Sequence, residues 1–205
     1  MDDNAVRRLR TAILVGVALL ALLILYALAT TPAPLGWMVA RTAALFGYSC
    51  MFLVILSTEY LREMRKLFGR PFLSVHHVLA VSGLVLILLH PFTVVMVTAD
   101  PTNLIPQFSS LRTFLTFGGR PAFYLFFLAA IAAWGRGRIK SSWKSIHLLN
   151  YVAFTLAFVH SWLLGTDAAT GLLRFIWPVM AATALLVMVR RRLRPISAPR
   201  KAQAR

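Results

Sequence analysis

Five residues in this 205-residue chain stand out as able to do chemistry: His76, His77, His90, His147 and His160. They form two sets, with His90 14 residues beyond His76 and His160 13 residues beyond His147. Histidine is the commonest metal ligand and an established axial ligand of haem. Residues this far apart on one helix are separated by about 20 Å of rise. That is too far for all four to enclose one zinc or copper ion. Two imidazoles facing each other across a pair of helices can instead hold one haem iron from both sides. With both axial positions filled, such an iron favours electron transfer over oxygen chemistry. The competing reading of any single histidine here is a hydrogen-bonded packing residue. The lone Cys50 excludes an internal disulfide framework and a Cys-rich metal site. The six acidic residues, Asp2, Asp3, Glu59, Glu63, Asp100 and Asp167, are expected at the ends of apolar stretches or in loops, with no buried carboxylate beside the histidines.

The elements that position these histidines are apolar. The chain is 59% hydrophobic and 14% charged, with a mean hydropathy of +0.74. A soluble domain would be roughly 45–50% apolar and about 25% charged. Six apolar stretches are bounded by charge, Pro or Gly: residues 11–28, 36–58, 75–98, 119–134, 145–164 and 172–189. In lipid such stretches must be helical, because only a helix pairs its own backbone groups within one segment. The expected fold is therefore all-α, a polytopic membrane protein with a six-transmembrane-helix bundle. A cytoplasmic N-terminus over 1–10 precedes the bundle at 11–189, and a basic cytoplasmic tail follows at 190–205.

Charge fixes the expected orientation. Of 22 Lys and Arg residues, eighteen fall in the N-terminus, the loops after spans two and four, and the tail. Only Arg41, Arg112, Arg120 and Arg174 fall on the other side. Basic loops stay cytoplasmic. Both termini are thus expected inside a cell membrane, plasma or inner, that the chain crosses several times. The net charge of +16 is accounted for by topology and lipid headgroups, and nucleic acid is rejected as a partner. The outer segment 99–118, which includes Phe108, Phe114 and Phe117, is expected on the membrane surface.

Spans three and five then run in the same direction, inside to outside. His76 and His147 start them and His90 and His160 lie further out, giving two levels with one histidine from each helix. At 100° per residue, His76 and His90 share a face, whereas His77 and His90 differ by about 140°. His76 is therefore the expected ligand and His77 its neighbour at the headgroup boundary. The 13-residue spacing in span five sits badly with the same arithmetic. Helix tilt, or haems on opposite flanks of the seam, would accommodate it.

The string His76-His77-Val78-Leu79-Ala80, followed by Leu89-His90, resembles the ferric reductase-like transmembrane domain. So does Trp143-Lys144-Ser145-Ile146-His147-Leu148-Leu149-Asn150-Tyr151, followed by Phe158-Val159-His160. The resemblance covers about residues 36–189. The superfamily includes ferric-chelate reductases, NADPH oxidases and the haem-binding subunit of the periplasmic methionine sulfoxide reductase system. It implies six helices with two b-type haems between spans three and five. His76 and His147 would hold the inner haem iron, and His90 and His160 the outer one. The fused members continue into a flavin and nicotinamide domain. This sequence ends at residue 205 without a Gly-rich dinucleotide fingerprint, which is similar to the stand-alone type. That type typically carries Arg where His76 stands, so His76 points to the two-haem reductases while length points to the stand-alone subunit.

The expected function is electron transfer from a cytosolic reductant to an extracytoplasmic acceptor. A flavin reductase or another flavoenzyme would be the donor, with any flavin supplied by that partner. An acceptor protein outside is a candidate partner. One alternative is a haem-binding subunit feeding a periplasmic methionine sulfoxide reductase, and another is a non-catalytic haem sensor or carrier. Arg41 and Arg120, near the outer face, are candidates for haem propionate contacts, with snorkelling to headgroups as the other reading. Ser82 and Gly83 fit close approach either of a macrocycle or of a helix. Tyr151, Phe154 and Phe158 fit an electron path or ordinary packing. Pro91 is a candidate kink. Trp37, Trp162 and Trp177 read as an outer aromatic belt, and Trp134 and Trp143 as an inner one.

Overall fold

The computed structural model describes residues 3–61, 63–168 and 171–193. Arg62, Arg194, Arg200, Lys201 and Arg205, counted above among the basic groups, lie outside these residues, as does nearly all of the expected tail. Among the described residues every regular element is helical. The order is α1 (Asp3–Thr30), α2 (Leu35–Ser57), α3 (Met64–Phe68), α4 (Phe72–Thr98), α5 (Leu111–Thr116), α6 (Gly119–Trp134), α7 (Arg136–Ile139), α8 (Ser142–His147), α9 (Leu149–Leu164) and α10 (Leu173–Leu193).

Five helical runs are long and apolar enough to cross a membrane: α1, α2 with the 3-10 turn that follows it, α4, the run Arg136–Leu164, and α10. The sixth expected span, α6, is apolar but only 16 residues long, about 24 Å against a hydrocarbon core of about 30 Å. Its start is set by the turn at Phe117 and Gly118, which separates it from α5. At the other end of the chain α1 begins at Asp3 rather than near residue 11, so Arg7, Arg8 and Arg10 are helical. Asp3 lies in that first turn, where the helix dipole favours a carboxylate.

Local chemistry explains the other boundaries. Pro34 and Pro71 immediately precede α2 and α4, and proline disfavours helix in the residue before it. Gly69, with φ 66°, closes α3 in the left-handed conformation. Ser110 caps α5 by accepting from the Thr113 amide at 3.1 Å. Asp100 accepts from the Thr102 amide at 2.9 Å and its hydroxyl at 2.7 Å. These bonds hold the Asp100 carboxyl below its usual range.

The core gathers around α2. Tyr48 lies buried between Phe154 of α9 and Trp177 of α10, at ring distances of 4.5 and 4.8 Å. Trp177 is fully buried and its indole N–H donates to the Ser161 hydroxyl at 2.9 Å. It is a core residue, not part of an interfacial belt, because α10 turns this face inward along with Met180 and Ala184. Trp134, by contrast, is 91% exposed. Ala122, Phe126, Ala129 and Ala132 give α6 a buried stripe, and α6 packs on α9. α4 packs chiefly on α2. A side chain at Gly83 would come within 3.0 Å of Cys50 Cβ, and one at Gly47 within 3.2 Å of Leu86 Cβ. Gly83 therefore serves helix packing, and Ser82 is exposed. α4 continues through Pro91 as one helix.

Two contacts tie the ends together. Where the basic loops gather, Arg191 of α10 donates to the Thr58 carbonyl. At the opposite end Arg41 of α2 pairs with Asp167, its Nε donating to Oδ2 at 2.7 Å, and Thr31 donates to the same carboxylate at 3.1 Å. Asp167 is buried. Asp167 follows α9 in a loop, as expected, and that loop folds inward onto the Arg41 guanidinium.

Candidate functional site: two facing histidine pairs

The fold brings together the four histidines that the sequence singles out. His76 of α4 faces His147, the last residue of α8, with ring centres 6.4 Å apart. His90 faces His160 of α9 at 6.5 Å. His77 is exposed and meets His76 only at 6.0 Å. The pairing follows the two levels expected from parallel helices.

The 13-residue spacing spans a break between two helices. The helix is interrupted at Leu148, between α8 and α9. There the Tyr151 amide bonds to the Leu148 carbonyl, three residues back, at 3.0 Å. The arithmetic of one ideal helix therefore does not strictly apply between His147 and His160.

Backbone carbonyls aim three of the four rings. His90 Nδ1 donates to the Ala40 carbonyl of α2 at 3.0 Å. His160 Nδ1 donates to the Thr116 carbonyl of α5 at 2.8 Å. His147 Nδ1 lies 3.3 Å from the Ala129 carbonyl of α6 and 3.3 Å from Asn150 Nδ2. A carbonyl can only accept, so the rings of His90 and His160 carry a proton on Nδ1, leaving Nε2 as the nitrogen open to a metal. Histidines that bind metal are usually oriented in this way. His76 differs: its buried Nδ1 has no hydrogen-bond partner among the described residues, and Phe72 packs against the ring at 5.3 Å.

The spacing is compatible with one metal between each pair. An imidazole nitrogen binds a metal at about 2 Å and lies ~1 Å from its ring centre, so two rings on opposite sides of one ion have centres about 6 Å apart. Both pairs have this separation. Among the described residues no three His, Cys, Asp or Glu side chains gather around one point. The donor set at each level is thus two imidazoles, which suits a metal whose other ligands arrive with it, as in haem. The residues fit that group.

The arginines are already engaged. Arg41 is bound to Asp167 and Thr31. Arg120 donates to the carbonyls of Thr102 and Ile105 at 3.2 and 3.0 Å and to Asn103 Oδ1 at 2.8 Å. It also lies 4.5 Å from the centre of the Phe117 ring. Each guanidinium offered to a propionate on sequence grounds has protein partners in this structure. The Ala40, Thr116 and Ala129 carbonyls were invisible to sequence reasoning, because a backbone acceptor has no side-chain signature. Phe154 is in the core, and Tyr151 and Phe158 pack against it. Compared with protein-family models, curated proteins and solved structures, the chain finds no match.

Proposed function

We propose that the chain is a six-span, ferric reductase-like electron-transfer protein of the cell membrane. In this reading two b-type haems carry electrons from a cytosolic flavoenzyme or reduced flavin to an extracytoplasmic acceptor. The observation that carries the reading is the pair of facing imidazoles at each of two depths, both at a ring separation of about 6 Å, suited to one metal between them. His76 and His147 hold the inner group and His90 and His160 the outer one. The bound haems would supply two one-electron carriers.

The protein's own part is to hold and orient. The carbonyls of Ala40, Thr116 and Ala129 keep three imidazoles aimed, and the apolar helices exclude water. A carrier or sensor would want a labile ligand, and paired imidazoles at both levels disfavour that role. The basic loops set the direction: His76 and His147 lie at the end where Lys and Arg gather, which faces the cytoplasm under the positive-inside rule. Purified protein in liposomes tests this. A flavin reductase with NADPH added on the side of the basic loops should reduce an acceptor trapped on the other side. The same addition to the opposite face should do little. Equal reduction from both faces, or rapid NADPH oxidation by the protein alone, contradicts the proposal.

A further inference from the structure

The first residue of α6 has a role that helix packing does not explain. A methyl group built on Gly119 would lie 2.6 Å from Cδ2, 2.8 Å from Nε2 and 3.0 Å from Cγ of His160. Atoms not bonded to each other do not approach so closely, so one side must move. The ring is not free to do so, because its Nδ1 is tied to the Thr116 carbonyl at 2.8 Å. The edge that a methyl would cover is the Cδ2–Nε2 edge, which carries the bare nitrogen. Thr116 and Gly119 flank one turn, at Phe117 and Gly118. The same short segment therefore fixes one side of the imidazole and keeps the other clear. Arg120, next in sequence, locks the segment to the outer loop through Thr102, Asn103 and Ile105.

We propose that Gly119 is a positioning residue for His160, required because any side chain there displaces the ring and covers its coordinating nitrogen. This rests on the two-haem reading for its spectroscopic consequence but not for the contact itself. Gly119→Ala is expected to halve the haem count. The outer low-spin signal should be lost, and the inner one should persist as evidence that the bundle is folded.

A double-mutant cycle on thermal stability adds a readout besides the haem count. Gly119→Ala should lower the melting temperature of the native chain. It should cause no further loss when His160→Ala has already removed the ring. Retention of both haems with an unchanged spectrum in Gly119→Ala overturns the proposal. So does an equal loss of stability in the two backgrounds, which would assign Gly119 to helix packing. If Gly119→Ala loses both haems, the cycle decides. A native chain without haem would sink the two-haem reading while the cycle still judged the contact.

Discussion

At the scale of single residues, the site is a set of imidazoles whose orientation is delegated to the backbone. His77 shows how narrow the selection is. It neighbours His76 in sequence, yet it is exposed while His76 faces His147. Replacing His77 with Ala should leave both haems in place, whereas His76→Ala should remove the inner one, as counted from reduced-minus-oxidised spectra. Loss of haem from His77→Ala with retention in His76→Ala would reverse the assignment. That His76 rather than His77 faces the histidine of the neighbouring helix was legible in the sequence, because a 14-residue spacing preserves the helical face. The partnership of Arg41 with Asp167 was not legible: 126 residues separate them, and neither lies in a motif. Arg41→Gln should leave a buried carboxylate without its cation, at a cost of roughly 3–5 kcal/mol. Adding Asp167→Asn should recover much of that loss in thermal denaturation.

At the scale of elements, the spans could be read from composition, but their ends and interruptions could not. Hydropathy places a helix over 145–164 and cannot register the turn at Leu148. The shortness of α6 has a similar origin, since the turn at Phe117 and Gly118 serves the approach to His160. Packing of α4 on α2 through Gly47 and Gly83 leaves much of α4 facing outward, with Val78, Val81 and Met96 all more than half exposed. Because α4 carries one histidine of each pair, the Gly83 contact should govern both levels. Gly83→Val should overpack against Cys50 and Met51, cost about 1–3 kcal/mol and weaken both haem signals together. Selective loss of one haem would show that α4 is positioned by something other than this contact.

At the scale of the whole molecule, charge and chemistry are arranged along one axis. The described basic segments, His76 and His147 share one end, while the Arg41–Asp167 pair and the segment 99–118 with its exposed Ile105 and Phe108 lie at the other. The charge asymmetry that suggested this orientation was legible in the sequence, because it needs only the positions of Lys and Arg. In a Cys50→Ser background, a membrane-impermeant maleimide applied to intact cells should label Phe108→Cys and spare Gly137→Cys. Labelling in the opposite sense would invert the orientation. The central claim is that each facing histidine pair holds a haem, and its most direct test is an optical spectrum of the purified chain, oxidised and dithionite-reduced, with haem counted per polypeptide. Two low-spin b-type haems per chain are expected. A folded, colourless preparation from haem-replete cells would contradict the account.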